Sequence, residues 1–288
     1  MKWKQLKIQT SAKDADMITE ILEEANALAI SFTDSENQPI FEPDLDTTPL
    51  WNKLTITALF DYETNFTSIK KQLTSFNCEI NQEIIQDKNW QKEATKDFKP
   101  IKFAENLWVC PTWCESPNKN AVNIRLDPGI AFGTGTHPTT HLCLEWLAAN
   151  IKGGETVIDY GCGSGILAIA ALKLGAKEVY AVDIDQQALD ATDNNAKKNN
   201  IDDAQLKLFL PEQLPAIKAD ILVANILANP LIELSKTFYS LLKPNGKFVL
   251  SGILQEQQQK VASHYQQDFT IQQINQREEW ISIAGTKN

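Results

Sequence analysis

TVIDYGCGSGILAIAALKL, residues 156–174, is the stretch that decides the fold of this chain. An apolar run that predicts a buried strand comes first, three glycines alternate with small residues, and a strongly apolar helical pattern follows. Such glycines allow a sharp turn and let a ligand approach the backbone closely. The spacing is G-x-G-x-G, ending at Gly165, and Ile166 stands where a dinucleotide-binding fingerprint has Gly or Ala. The stretch predicts an α/β sheet that holds a nucleoside-type ligand near Gly161 and Gly163.

A carboxylate is expected at the tip of the next strand. Residues 178–182 predict that strand, and Asp183 follows it directly. An acid in this position accepts hydrogen bonds from both ribose hydroxyls, in nicotinamide enzymes and in S-adenosylmethionine enzymes alike. The alternative role for an acid here is to cap the helix predicted over residues 186–198. We expect Asp183 to be the ribose ligand and Asp185 to be the cap.

The residue at the tip of a third strand distinguishes S-adenosylmethionine enzymes from nicotinamide enzymes. Residues 220–225, DILVAN, predict a strand that ends at Asn225, where many methyltransferases place an Asn or Asp beside the reactive methyl group. The segment LLKPNG, 241–246, followed by another strand, also resembles the methyltransferase fold. Asn225 is therefore a candidate cofactor contact and the candidate catalytic residue. The next residues, Ile226 and Leu227, are not aromatic, which favours an aliphatic amine over a planar nucleobase as the methyl acceptor.

The segment DPGIAFGTGTHPTT, residues 127–140, precedes an apolar helix. It lacks the Lys with which a phosphate-binding loop neutralises its ligand. Backbone N–H groups at a helix N-terminus suit instead a carboxylate, such as that of S-adenosylmethionine. Phe132, Thr134 and Thr140 are the candidate cofactor contacts here, and plain helix capping is the alternative for Thr140. His137 is either a base or a structural residue.

Residues 1–88 predict a separate small domain. Alternating patterns indicate strands over 3–10, 29–33, 54–62 and 78–85, with helical spacing after the first and third of them. The order β-α-β-β-α-β is typical of a ferredoxin-like α+β domain. The third strand lacks the aromatic signature of RNA-recognition versions, so we expect a module that grips a protein substrate.

The remaining residues divide into two parts. Residues 89–118 are irregular and rich in charge, Trp and Pro, and we expect a linker there. In residues 119–288 strands alternate with longer helical segments, which predicts an α/β catalytic domain, a Rossmann-like fold with a mostly parallel seven-stranded sheet.

Composition narrows the classes of partner. The chain has 288 residues and a formal net charge of -10, and Arg125 and Arg277 are its only arginines. Binding to phosphate backbones needs Lys/Arg clusters, so we expect no sequence-specific binding of nucleic acid, whereas a basic protein partner suits the charge. The acidic stretch from 34 to 61 either attracts a lysine-rich substrate or is a solvated loop.

Cysteine usage and hydropathy indicate the compartment. Cys110 and Cys114 have neither a second pair nor a nearby His, so we expect buried thiols and no metal site. No apolar run approaches the ~18 residues of a membrane span. The first ten residues are polar and alternating, unlike a signal peptide. We therefore expect a cytoplasmic protein without membrane contact.

Together these motifs resemble the PrmA family, the methyltransferases of ribosomal protein L11. The resemblance rests on residues 128–140, 159–165, 183–185 and 225–227, and it extends along the chain to EEW at 278–280. The segment AFGTGTH is its most specific part, because many methyltransferases share the glycine loop. A methyltransferase that acts on another protein, on RNA or on a small molecule is the alternative.

The resemblance implies an enzyme that methylates the N-terminal α-amine and lysine ε-amines of ribosomal protein L11, free or in the large ribosomal subunit. It implies S-adenosylmethionine as cofactor, with contacts at Thr140, Gly161, Asp183 and Asn225, and we expect a monomer. The amine must be neutral to react, and a desolvated site beside a sulfonium lowers its pKa. We therefore expect no dedicated strong base, with Asn225 or nearby carbonyls orienting the amine.

Overall fold

The computed structural model describes residues 2–36, 38, 40, 49–86, 99–127 and 137–288. Contacts divide the chain into two compact units, Met1–Glu93 and Ala94–Asn288.

The N-terminal unit is built on an antiparallel four-stranded sheet. Its elements are β1 (Lys2–Ser11), α1 (Ala12–Glu24), β2 (Ala29–Asp34), β3 (Lys53–Asp61), α2 (Thr67–Leu73) and β4 (Glu79–Gln86). The strand order is β2-β3-β1-β4, which confirms the ferredoxin-like arrangement. Alternate side chains of β1 and β3 point to one face and form a core with both helices; they include Leu6, Ile8, Leu54, Ile56 and Phe60.

The second unit contains the predicted parallel sheet. Its strands are β8 (Thr156–Tyr160), β9 (Glu178–Val182), β10 (Leu206–Phe209), β11 (Ala219–Asn225), β12 (Leu242–Leu254), β13 (Phe269–Arg277) and β14 (Trp280–Lys287). The order is β10-β9-β8-β11-β12-β14-β13, and only β14 pairs antiparallel, with β12 and with β13. The expectation of a mostly parallel seven-stranded sheet is confirmed.

Helices cover both faces of this sheet. They are α3 (Pro138–Asn150), α4 (Ile166–Lys173), α5 (Gln186–Lys198), α6 (Ala228–Glu233), α7 (Ser235–Leu241) and α8 (Gln258–Tyr265). Val157 of β8 packs in one core with α3 and α4, and its neighbour Ile158 packs in the other with α6, α7 and α8. Burial on both faces explains why the central strands are continuous apolar runs rather than alternating ones.

A three-stranded sheet precedes α3. It consists of β5 (Ile101–Ala104), β6 (Leu107–Cys110) and β7 (Val122–Arg125), in that order. Two of these strands fall within residues 89–118, where the sequence led us to expect a linker. Phe103, Leu107 and Val109 belong to the core that contains α3 and α4. Strands of only four residues leave too short an alternation to stand out among charged residues and prolines.

Asn199, at the end of α5, connects the small sheet to a helix that covers the larger sheet. The Arg125 N–H donates to Asn199 Oδ1 at 2.7 Å, and Asn199 Nδ2 donates to the carbonyl oxygens of Arg125, at 2.7 Å, and Asn195, at 2.8 Å. The Asn199 residue is 4% exposed. One buried amide therefore pairs both backbone groups at the end of β7, directly before the segment that leads to α3.

We predict that Asn199→Ala lowers the free energy of unfolding by about 2–3 kcal/mol, because it leaves the buried backbone groups of Arg125 unpaired. Asn194→Ala, at an exposed position on the same helix, is the matched control and should change little. Urea titration followed by circular dichroism measures both. Equal midpoints for the two variants would contradict this role of Asn199.

Candidate active site

A cavity of about 470 Å³ lies at the carboxyl ends of the central strands. Ligands bind at this edge in open α/β sheets, and the volume is in the range of small-molecule sites. Side chains and backbone from four strand ends meet there, together with the start of α3. The lining includes His137, Thr139, Tyr160, Gly161, Gly163, Asp183, Ile184, Asn225, Ile226, Leu227, Gly252 and Trp280. The structure thus brings together four of the predicted site residues: Gly161, Gly163, Asp183 and Asn225.

Asp183 connects the tip of β9 to the glycine loop. The Gly163 N–H donates to Asp183 Oδ2 at 2.9 Å, and the Asp185 N–H donates to Asp183 Oδ1 at 3.0 Å. Each carboxylate oxygen keeps further acceptor capacity, and the residue lines the cavity, so it can still accept from ribose hydroxyls. Asp185 Oδ1 accepts from the Gln187 N–H at 2.9 Å and caps α5. The prediction that Asp185 is the cap is confirmed.

Asp159, on β8, supports the helix that follows the glycine loop. Gly165 is the N-cap of α4 and has no side chain to pair with the first turn. Asp159 Oδ2 does so instead, accepting from the Ala168 N–H at 2.9 Å. Burial raises the pKa of Asp159 to about 7, and the nearby Asp183 charge adds to the rise. The other oxygen, Oδ1, is buried and has no hydrogen-bond partner among the residues described.

Asn225 lies at the tip of β11, and the nitrogen of its side-chain amide is hydrogen-bonded within the protein. Its Nδ2 donates to Thr140 Oγ1 at 3.3 Å. Its Oδ1 is buried, and no group in the described part of the chain donates to it. An orphaned carbonyl at a cavity wall is the feature expected of a residue that completes its hydrogen bonds with a ligand.

Thr140, a predicted cofactor contact, lies beside Asn225. The residue is completely buried, it contacts the Asn225 amide, and the cavity is lined by its neighbour Thr139. Thr140 therefore positions the Asn225 side chain through this hydrogen bond. The role of Thr140 as a cofactor contact stays a prediction. Phe132 and Thr134, the other candidates from this segment, lie outside the described residues.

His137 caps α3 and lines the cavity. Its Nδ1 accepts from the Thr139 N–H at 3.4 Å and lies 2.8 Å from Thr139 Oγ1. Burial lowers the pKa of His137, and the carboxylates of Glu279 and Glu278 offset this only in part. The ring is therefore neutral near pH 7, and its acceptor nitrogen is engaged at the helix N-terminus. This geometry favours the structural alternative over a general base.

Trp280, the first residue of β14, belongs to the EEW segment of the resemblance, but the sequence did not predict that it lines the site. Its ring lies edge-on to His137, with 4.9 Å between the ring centroids, and it forms part of the cavity wall. The absence of an aromatic residue directly after Asn225 therefore does not mean that the cavity lacks one. Only the antiparallel return of β14 beside β12 places this residue near the site.

Ile226 is enclosed by two glycines on neighbouring strands. A Cβ atom on Gly161, where φ is +80°, would lie 2.2 Å from Ile226 Cγ2. A Cβ atom on Gly252, where φ is +85°, would lie 2.2 Å from the Ile226 carbonyl oxygen. Ile226, the residue directly after Asn225, is therefore fixed between the two glycines. Its side chain lies against Gly161, and its backbone lies against Gly252. Gly252 was also missed, because its role depends on a contact across the sheet.

Among the residues that the structure describes, no group of three or more His, Cys, Asp and Glu side chains is arranged to hold a metal ion. In the same residues every helix is too short or too polar to cross a bilayer.

A family model described as "Ribosomal protein L11 methyltransferase (PrmA)" matches residues 2–288. The chain belongs to this family. It is 47% identical over 291 residues to a ribosomal protein L11 methyltransferase of Pseudomonas putida and 49% identical over 295 residues to one of Shewanella woodyi, with 100% of both chains covered in each case. A solved ribosomal protein L11 methylase from Lactobacillus delbrueckii subsp. bulgaricus has 35% identity and a TM-score of 0.60, covering 66% of this chain and 100% of that one.

PrmA family membership makes the chain a class I methyltransferase with S-adenosylmethionine as methyl donor. The cavity fits that cofactor on three observations. A carboxylate with spare acceptor capacity, that of Asp183, stands at the tip of β9. The glycine loop presents backbone without side chains, and Asn225, whose buried Oδ1 has no donor among the described residues, lines the same space.

We predict that Gly161→Ala and Gly252→Ala each weaken binding of S-adenosylhomocysteine about tenfold or more, because each displaces Ile226 from beside Asn225. Ile226→Ala removes the Cγ2 atom that a Gly161 Cβ would meet, so the Gly161→Ala/Ile226→Ala double variant should recover part of the affinity, while the backbone strain of alanine at a φ of +80° remains. The clash at Gly252 is with the backbone of Ile226, so Ile226→Ala should not restore the affinity of Gly252→Ala. Calorimetric titration measures all of these variants, and equal rescue of both glycine variants would contradict the enclosure of Ile226.

Proposed function

We propose that the chain transfers methyl groups to the N-terminal α-amine and lysine ε-amines of ribosomal protein L11. The observation that carries this proposal is the side-chain amide of Asn225: its buried carbonyl oxygen has no donor among the described residues, and the residue lines a largely apolar cavity together with the predicted ribose ligand Asp183. The two relatives of nearly equal length carry the name of that substrate protein.

The cofactor would be held by residues on three strand ends. When bound, S-adenosylmethionine supplies a methyl group already activated by its sulfonium. Asp183 would accept from the ribose hydroxyls, and Gly161 and Gly163 leave room for the ligand beside the backbone. Ile184, which lines the cavity and is 84% exposed, would offer an apolar surface to the flat base of the cofactor.

Asn225 would orient the acceptor amine. Its Oδ1 can accept an N–H from a neutral amine and so direct the nitrogen lone pair, while Thr140 keeps the amide from rotating. Holding two reactants in line can contribute ~7–11 kcal/mol to lowering a barrier. An amine becomes neutral more easily in an apolar site, and Ile226, Leu227 and Trp280 give the cavity apolar walls.

Among the described residues that line the cavity, we find no side chain arranged as a strong base. His137 uses its acceptor nitrogen at the helix N-terminus and has a lowered pKa, so it is neutral but not available to take a proton. We infer that the amine loses its proton to solvent before it enters. The Trp280 ring then offers a face for the methylenes of a lysine side chain and for its methylated, cationic products.

We further propose that residues 1–88 recognise the substrate protein and that residues 119–288 carry out catalysis. The catalytic cavity is lined by residues of the second unit, which leaves the ferredoxin-like unit for substrate binding. Action in the cytoplasm as a monomer, on free L11 or on the large ribosomal subunit, belongs to the same proposal.

We predict that purified ribosomal protein L11, incubated with the enzyme and S-adenosylmethionine, gains mass in steps of one methylene at its N-terminus and at lysines. Asn225→Ala should slow these steps about 100-fold, because the amine loses its alignment. Asn229→Ala, an exposed position on α6, is the matched control and should keep the rate. Mass spectrometry of the intact protein and of its peptides measures both.

Two outcomes would contradict the proposal in different ways. No mass gain, with S-adenosylhomocysteine binding intact, would keep the cofactor site and discard the substrate, which leaves another protein, an RNA or a small molecule as acceptor. An unchanged rate for Asn225→Ala combined with an inactive His137→Ala would discard the assigned roles of these residues.

A further inference from the structure

Two residues of α5 bind the glycine loop through its backbone carbonyl groups. Thr192 Oγ1 donates to the carbonyl oxygen of Gly163 at 3.0 Å, and Asn195 Nδ2 donates to that of Ser164 at 2.9 Å. Residues three apart lie on the same face of a helix, so α5 presents both donors to the loop side by side. Two successive peptide groups of the loop are therefore each fixed by a side chain of this helix.

Thr192 is completely buried, and its hydroxyl group is used within the protein. Cys162 Sγ, from the same loop, lies 3.4 Å from Thr192 Oγ1. Burial raises the pKa of Cys162, so the group beside the hydroxyl is a neutral thiol. A valine has a similar shape, so what the threonine adds at this position is the hydrogen bond to the loop.

The loop and the helix approach each other closely at Gly165. The φ angle of Gly165 is +76°, and a Cβ atom on it would lie 2.7 Å from Thr192 Cγ2 and 2.8 Å from Thr192 Oγ1. The backbone of the loop thus lies directly against the Thr192 side chain. This close approach lets so short a side chain reach the Gly163 carbonyl.

Gly163 is held at both of its backbone groups. Its N–H donates to Asp183 Oδ2 at 2.9 Å, and its carbonyl accepts from Thr192. Its φ angle is +53°, in a region that glycine enters and leaves readily. Peptide groups are planar, so fixing the two that flank a residue fixes its conformation. Gly161 and Gly163 line the cavity of the active site, and neither of the two helix residues does.

We propose that Thr192 and Asn195 are positioning residues of the methyl-transfer reaction. They hold the glycine loop in the conformation in which Gly163 and Asp183 together meet the cofactor, and neither touches the cofactor itself. Glycines give the ligand room but leave the loop free to move, and α5 removes that freedom before the ligand binds, so less is lost on binding. The inference rests on the proposed placement of the cofactor beside Asp183, and not on the identity of the methyl acceptor.

The test is calorimetric titration of the full chain with S-adenosylhomocysteine, which needs no turnover. Thr192→Val keeps the shape and removes the hydroxyl, whereas Thr192→Ser keeps the hydroxyl and removes the methyl group. We expect Thr192→Val and Asn195→Ala to weaken binding about tenfold, the effect of about one hydrogen bond. Thr192→Ser should bind within about twofold of wild type. Asn194→Ala, at an exposed position on the same helix, is the matched control and should bind as wild type does.

Thermal unfolding without ligand and steady-state kinetics distinguish positioning from a purely structural role. Thr192→Ser loses a buried methyl group and should unfold at a lower temperature, yet keep its affinity. Thr192→Val should raise the KM for S-adenosylmethionine and leave the KM for the protein substrate unchanged, whereas a smaller folded fraction would lower kcat instead. Equal losses of affinity in Thr192→Ser and Thr192→Val would overturn the role of the hydroxyl.

Asp183→Asn, titrated in the same way, tests the cofactor site separately. Weakened binding by Asp183→Asn together with wild-type binding by Thr192→Val and Asn195→Ala would overturn the positioning role and leave the cofactor site in place. Wild-type binding by Asp183→Asn would overturn the proposed placement of the cofactor and, with it, the role assigned to the two helix residues.

Discussion

The close approach of Ile226 to Gly161 and Gly252 is the contact on which the rest of the active site depends. It fixes the distances between the loop that follows β8, the loop that follows β11 and the strand β12, and so it determines the position of Asn225. The bond from the Gly163 N–H to Asp183 draws the tip of β9 to the same loop. A larger residue at either glycine would separate strand ends whose side chains must act together on one ligand. The strand ends lie along one edge of the parallel sheet, and these contacts bring their residues together into one site.

Burial gives the site its chemical character. Asp159 replaces the missing side-chain cap of α4 from beneath the glycine loop, and its buried position raises its pKa to about 7. His137 is neutral for the same reason, since burial lowers its pKa while its Nδ1 accepts at the start of α3. A cavity that is largely apolar apart from the Asp183 carboxylate suits a reaction that needs a neutral amine. The Asn225 carbonyl oxygen, which has no donor among the described residues, is the polar atom that we propose orients that amine.

Local patterns in the sequence predicted the fold and part of the site. Apolar strands followed by turn residues placed Gly161, Gly163, Asp183 and Asn225 at one edge of the sheet, because parallel strands end on the same side. The burial of Thr140 behind Asn225 could not be predicted in this way, nor could Gly252 and Trp280, because each acts through a contact far along the chain. The strands β5 and β6 were too short to recognise. The roles of Phe132 and Thr134 stay predictions from the sequence.

A crystal structure of the enzyme with S-adenosylhomocysteine would show whether these strand tips hold the cofactor as we propose. We predict that both ribose hydroxyls lie within hydrogen-bond distance of the Asp183 carboxylate. It also predicts that the sulfur lies beside Asn225, with the Asn225 Oδ1 atom open towards the acceptor side of the cavity. A ligand whose ribose lies away from Asp183, or whose sulfur lies on the far side of the sheet edge from Asn225, would contradict it.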